Sequence, residues 1–129
     1  MNATLKLGEH FIFDLSDCSH EILMDSEKSY SLFAQAVRES GLTVVDEGFY
    51  KFSPHGFTCF LLLAESHASL HAWPEYDYCA IDLFTCAIGK DMMPLIQHIK
   101  DALGADNFTL RKIDRDAEVE RIPFAVQGL

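Results

Sequence analysis

The sequence predicts an α+β fold, a two-layer sandwich in which an antiparallel β-sheet carries two helices packed on one face. Three observations point there. Short apolar runs of strand length recur along the chain, two other stretches repeat their apolar residues at helical spacing, and the connections between them are short. The chain has 129 residues, 49% of them hydrophobic, with only four prolines and seven glycines. That is the length of one domain, 1–129, and no repeat, linker or low-complexity run divides it.

Taken in order, Lys6 to Asp14 reads as a first strand. Ser26 is placed to cap a helix running to about Ser40, because Tyr30, Phe33, Ala34 and Val37 recur at helical spacing and Gly41 supplies a stop. Thr43 to Val45 and Phe49 to Phe52 read as short strands around Asp46-Glu47-Gly48. Ser53-Pro54-His55-Gly56 has turn composition, and a buried strand follows from Phe57. Ser66 to Trp73 is the next strand, closed by Pro74. Tyr78 to Thr85 follows, with Cys79, Ile81 and Leu83 on one face and Ala80, Asp82 and Phe84 on the other. Pro94 near a helix start, then Leu95, Ile96, Ile99 and Leu103 before Gly104, predict the second helix. Asn107 to Ile113 is the last clear strand, and the tail after Asp116 carries no clear pattern.

Composition narrows the function by exclusion. Twenty acidic residues against ten basic give a formal charge of −10, which argues against a nucleic-acid backbone or an anionic membrane surface as partner. No apolar stretch approaches the roughly 18–20 residues of a membrane span, and the N-terminus lacks a signal-peptide layout. The four cysteines, Cys18, Cys59, Cys79 and Cys86, form no C-x-x-C, and three lie in apolar runs where a free thiol behaves as a small hydrophobe. A cytoplasmic protein with reduced thiols is the expectation.

The polar chemistry is densest between Phe57 and Cys86. An apolar strand runs directly into Glu65-Ser66-His67-Ala68-Ser69-Leu70-His71-Ala72-Trp73-Pro74-Glu75. On a strand, His67, Ser69, His71 and Trp73 share one face, and Ser66 projects the other way unless the chain bends there. A half-buried strand whose polar groups satisfy one another accounts for these residues. So does a zinc site built on His67 and His71 with Glu65 or Glu75 and a nearby thiolate. That spacing is weakly specific and lacks a second ligand pair, so no metal is expected. A serine hydrolase lacks its G-x-S-x-G turn, and Gly89-Lys90 lacks the rest of a phosphate loop.

The string from Glu65 to Glu75, followed by Ala80-Ile81-Asp82-Leu83-Phe84-Thr85-Cys86, closely resembles the signature of the prokaryotic S-adenosylmethionine decarboxylases. The approach, Phe49-Tyr50-Lys51-Phe52-Ser53-Pro54-His55-Gly56-Phe57-Thr58, is similar too, as is the opening with Gly8, His10 and Cys18. The resemblance covers about residues 6 to 115, and the length matches the family's short, metal-independent branch.

The resemblance implies a proenzyme that makes its own pyruvoyl cofactor. Cleavage between Glu65 and Ser66 would give a β chain (1–65) and an α chain (66–129), with Ser66 converted to the pyruvoyl group. Thr58 and His71 would assist the processing. The pyruvoyl would form a Schiff base with S-adenosylmethionine and withdraw electrons as CO₂ leaves. The product is the aminopropyl donor for spermidine synthesis. Cys86 would donate the proton to the resulting carbanion, which suits a thiol whose ordinary pKa near 8.5 leaves it mostly protonated. Phe52 would stack on the adenine and Glu75 would accept from the ribose hydroxyls. Without the resemblance Thr58 is a β-branched strand residue, Cys86 a structural cysteine, Phe52 core and Glu75 a solvated turn acid. His67 and Ser69 have no assigned role beyond lining the site. A homodimer with active sites near its interface is also implied.

Three positions depart from the family pattern: Ala72 where Thr is usual, Ala87 where Gly is common, and Cys59 where a small residue is frequent. None removes a group named above, but they alter its surroundings. Two other readings therefore stand beside the first. One is a pyruvoyl-dependent arginine or ornithine decarboxylase on the same scaffold; the other is an uncleaved, non-enzymatic ligand-binding relative.

Overall fold

The computed structural model describes residues 2–120. Within them six strands form one antiparallel sheet in the order β2-β3-β4-β5-β1-β6. The strands are β1 (Asn2–Ser16), β2 (Val44–Lys51), β3 (Phe57–Leu63), β4 (Ser66–Trp73), β5 (Tyr78–Thr85) and β6 (Asn107–Glu120). The helices are α1 (His20–Met24), α2 (Ser26–Glu39) and α3 (Met93–Ala102). The α+β sandwich is therefore as the sequence predicts.

Alternation along the strands decides which face is covered. In β3, β4 and β5 every second residue is buried. Phe57, Cys59, Leu61, Leu63, Ala68, Leu70, Ala72, Cys79, Ile81 and Leu83 meet Phe11, Phe13 and Leu15 of β1 on one face. Phe33, Ala34 and Val37 of α2 and Leu95, Ile96 and Ile99 of α3 close the core from above. Truncating such a fully buried side chain, Leu70→Ala for example, costs about 2–5 kcal/mol.

No element among the described residues covers the opposite face. The strand after Phe57 reads from sequence as buried, yet Phe60 and Leu62 point to this open face and are 42% and 43% exposed. An apolar run alone does not distinguish burial on one face from burial on two.

Other boundaries differ in instructive ways. Asp25, not Ser26, caps α2, its side chain accepting from the Lys28 N–H. A five-residue helix, α1, precedes it, capped by Ser19 Oγ on Ile22 N–H. Asp46-Glu47-Gly48 is continuous strand: β2 is an edge strand, exposed over most of its length, so polar residues and glycine serve there without a turn. β1 begins earlier than read, and β6 extends to Glu120, because the two pair along nearly their whole lengths. Residues beyond Glu120 lie outside those described. At Gly8 a Cβ would fall 2.4 Å from the Phe84 ring, so glycine there lets Phe84 lie across β1.

Candidate active site

The sheet's register sorts the candidate residues into two groups. The first gathers at the end of the sheet where β3 turns into β4. Leu63 pairs with Ser66, so Ala64 and Glu65 form a two-residue hairpin connection. Thr43 ties this turn down from one side. Its N–H and Oγ1–H donate to the Glu65 carboxylate at 3.0 and 3.2 Å, and its carbonyl accepts from Ala64 N–H at 2.9 Å. The Thr43 amide, more than any other group, holds the Glu65 carboxyl below the usual carboxylate range.

From the other side comes Cys86. Ser66 pairs with Thr85 across the β4–β5 ladder, and one residue further the Cys86 N–H donates to the Glu65 carbonyl at 2.8 Å. The carbonyl next to the candidate nucleophile therefore carries a donor aimed at its oxygen. Ser66 itself has φ of +144°, a conformation that a side chain disfavours by about 1–3 kcal/mol. The bend anticipated as an exception at Ser66 is present, and the backbone strain falls on the residue after that carbonyl.

Cys86 is also the exposed member of four unpaired cysteines. Cys18, Cys59 and Cys79 are buried. Burial pushes the Cys59 thiol up to about 12, and the Cys18 hydrogen bond, followed by burial, pushes Cys79 up as well. Those three suit a structural role, whereas Cys86 is open to a reactant.

The second group lines a cavity of about 410 Å³ at the far end of the same strands. Its walls include Phe52, His55, Thr58, His71, Trp73 and Glu75. Thr58 and His71 pair across β3 and β4, with Thr58 Oγ1 and His71 Nδ1 2.9 Å apart. Phe52 and Trp73 present half-exposed rings. Glu75 sits in the 3₁₀ turn Pro74–Tyr76, facing His55 Nε2 at 3.3 Å. The structure thus unites Phe52, Thr58, His71 and Glu75 and separates them from Glu65, Ser66 and Cys86. Ser66 and His71 are five residues apart along β4, roughly 16 Å at strand rise.

Between the groups, the open face carries residues the sequence left without a role. His10 Nε2 meets Asp82 Oδ1 at 3.0 Å. His67 stacks on Phe60 at 5.6 Å and meets Phe84 at 5.7 Å. Burial first, then the nearby His10, pushes the His67 pKa below its ordinary value. His67, Ser69, His71 and Trp73 do share this face, but His67 and His71 turn to different neighbours. Among the described residues no three His, Cys, Asp or Glu side chains converge as metal ligands. The His55–Glu75 pair went unread because His55 falls in a turn recognised by composition alone.

Residues 9–116 match the family model described as S-adenosylmethionine decarboxylase. The chain belongs to that family. The S-adenosylmethionine decarboxylase proenzyme of Thermotoga maritima is 39% identical over 99 residues, covering 77% of this chain and 76% of that one. The proenzyme of Synechococcus sp. (strain WH7803) is 40% identical over 124 residues, covering 91% and 95%. In three dimensions the chain is similar to the crystal structure of the adenosylmethionine decarboxylase from Aquifex aeolicus VF5, with a TM-score of 0.80 and 30% identity. That match covers 92% of this chain and 97% of the other. The family assignment and the six-stranded architecture therefore agree with the resemblance carried by the Glu65–Cys86 region.

Proposed function

We propose that this chain is an S-adenosylmethionine decarboxylase proenzyme that cuts itself between Glu65 and Ser66. The observation that carries the reading is the Glu65 carbonyl, held at 2.8 Å by the Cys86 N–H directly before a serine in a strained conformation. Ser66 Oγ adds to that carbonyl, and the Cys86 N–H stabilises the negative oxygen that develops, an interaction worth about 100-fold or more in rate where it has been removed elsewhere. Collapse expels the Ser66 nitrogen and leaves an ester. Loss of the Ser66 Cα proton then breaks the Cβ–O bond, releasing a Glu65 carboxylate and a dehydroalanine. Water replaces the dehydroalanine nitrogen, which leaves as ammonia, and residue 66 becomes pyruvoyl. Relief of the strain at Ser66 assists the first step.

The residues fit this group: a hydroxyl, an adjacent polarised carbonyl and an accessible thiol meet at one turn. The pyruvoyl group supplies an electron-withdrawing carbonyl for decarboxylation. Cys86 Sγ delivers a proton to the substrate carbon that loses CO₂. Phe52 offers a face for the adenine, and Glu75 offers two oxygens for the ribose hydroxyls. The cavity's size and aromatic walls favour the adenosyl substrate over arginine or ornithine.

A single chain leaves the Phe52–Glu75 cavity and the Thr58–His71 pair about 16 Å from Ser66. We infer that the active unit is a homodimer whose open sheet faces pack together, so that the cavity of one copy serves Ser66 of the other. The exposed Phe60, Leu62, Trp73 and Ile113 on that face support it, as does the roughly 10 Å spacing at which two sheets interleave side chains. A two-fold axis would complete both sites at once. Four unpaired thiols agree with a cytoplasmic setting.

Denatured mass of the freshly purified protein tests the core of this reading. Two fragments are expected, 1–65 and a second beginning at residue 66 and lighter by one ammonia than its plain sequence. A single uncut chain that persists on incubation would support the ligand-binding alternative instead.

A further inference from the structure

Two side chains beside the Glu65–Ser66 turn have no part in the chemistry above: Lys90 and the Glu65 carboxylate. Lys90 lies in the loop of residues 86–92, which leaves β5 at Cys86 and enters α3. The loop is folded on itself, the Ile88 N–H donating to the Cys86 carbonyl at 2.9 Å and the Lys90 N–H to the Ala87 carbonyl at 3.2 Å. From it the Lys90 Nζ donates to the Ser40 carbonyl at 2.9 Å. Ser40 is the C-cap of α2, and a cation is favoured where a helix ends in carbonyls without helical partners. Gly41, at φ +89°, leaves the room: a Cβ there would fall 3.3 Å from the Lys90 Nζ. A cleft of about 260 Å³, bordered by Glu39, Lys90, Asp91 and His98, separates the end of α2 from the loop. The hydrogen bond, not dense packing, spans that gap.

Three residues beyond Ser40, the Thr43 N–H and Oγ1–H donate to the Glu65 carboxylate at 3.0 and 3.2 Å. The contacts therefore close a ring. It runs from the Glu65 carbonyl to the Cys86 N–H at 2.8 Å, along the chain to Lys90 and across to Ser40. From Ser40 it follows the chain to Thr43 and returns to the Glu65 carboxylate. Glu65 is held by its carbonyl from one segment and by its side chain from another, and Lys90 joins those two segments directly. Ser66, the next residue, has φ of +144°, and such a conformation persists only where its surroundings hold it. Lys90 and Thr43 are both exposed, so neither is needed to fill the core.

We propose that Lys90 and the Glu65 carboxylate are positioning groups for self-cleavage: by closing this ring they keep the Glu65 carbonyl on the Cys86 N–H while Ser66 attacks it. The proposal rests on the self-processing reading above. It concerns a step that precedes the cofactor, so decarboxylase activity is not needed to test it.

The test follows the conversion of freshly translated full-length chain to its two fragments by mass. Lys90→Met is expected to cut roughly fivefold more slowly, and Glu65→Ala, which keeps the attacked carbonyl, roughly tenfold. Opening the ring at one point already frees the other. The double variant should therefore cut about as slowly as Glu65→Ala, where independent losses would multiply to roughly 50-fold. Lys90→Arg keeps a donor and Glu65→Gln an acceptor, and each should recover most of the rate. A second measurement uses the Ser66→Ala background, where no variant can cut. There Lys90→Met should speed hydrogen exchange at the Cys86 amide while the β3–β4 amides keep their protection. A wild-type rate in either single variant, independent losses in the double, no recovery by Lys90→Arg, an unmoved Cys86 amide, or lost protection across the whole sheet would each overturn the ring. If wild type itself stays uncut, the self-processing reading falls and this inference with it. A wild type that cuts beside equally fast variants removes the ring alone.

Discussion

The turn at Glu65–Ser66 and the cavity around Thr58 and His71 sit at opposite ends of the same two strands and are built by opposite rules. At the turn, backbone does the work: two N–H groups, a carbonyl and a strained φ converge within a few residues of chain. At the cavity, side chains do it, with Phe52, His55, Trp73 and Glu75 arriving from a loop, a strand and a 3₁₀ turn to line one space. The first arrangement suits bond breaking, which depends on sub-ångström placement of a carbonyl. The second suits recognition of a large, flat, polar-edged molecule. On the proposed reading, the two ends of the sheet contribute differently to one composite site, and mutations at the two ends should differ in kind.

The largest effect expected is at the turn. Ser66→Ala should remain one chain with no decarboxylase activity, and any fragment ending at Glu65 from that variant would move the cut site elsewhere. Next comes Cys86→Ala, which keeps the backbone N–H. It should still cut, but its kcat should fall about 100-fold or more if the thiol is the proton donor; normal turnover would remove Cys86 from the chemistry. The two regions can then be tested for partnership between copies. A mixture of Ser66→Ala and His71→Ala chains, each inactive alone, should recover roughly a quarter of the wild-type rate if each site takes Ser66 and His71 from different chains. No recovery would place both residues in one copy.

Glu75→Gln should act at the cavity end alone, raising KM for S-adenosylmethionine by about tenfold with a smaller change in kcat. A slowed self-cleavage in that variant would contradict the division between the regions. The smallest effect lies between them. Because the fold holds His67 below its ordinary pKa, the unfolded chain takes up a proton there first as pH falls. His67 then contributes no pH dependence above its ordinary value near 6.5, and stability declines as pH drops from there to the lower folded value. In Ser66→Ala chains, melting temperature measured across that window should fall more gently for His67→Gln than for the unmodified residue.

The division was only half legible in the sequence. Alternation placed β4 and β5 to the residue, because a sheet covered on one face imposes period two wherever the strand carries no bulge. Helical spacing likewise found α2 and α3. Sequence reading failed where one short-range pattern serves two structures: Asp46-Glu47-Gly48 resembles a turn yet runs as an edge strand, and α1 is too short to show a period. For the site, the string from Glu65 to Cys86 supplied the residues but not their grouping. Thr58, Glu65, Ser66 and His71 are neighbours in sequence, and only the Leu63–Ser66 and Thr58–His71 registers reveal that they lie at opposite strand ends.

The strand order carries one more consequence. A cut between residues 65 and 66 leaves β1, β2 and β3 on one piece and β4, β5 and β6 on the other. Read across the sheet, β1 then lies between β5 and β6, and β3 lies against β4, so three of the five ladders join different pieces. The pieces are interleaved rather than side by side, and neither keeps a complete layer of core without the other. Before the cut, melting of a single copy is a reaction of one molecule with itself; afterwards it releases two. The mature form should therefore melt at a temperature that rises with protein concentration even within one copy, and should refold poorly from dilute denaturant where the uncut Ser66→Ala chain refolds well. On the proposed self-cleavage, folding would belong to the precursor, and the cut would turn a reversible fold into an assembly that the dilute pieces rebuild only slowly.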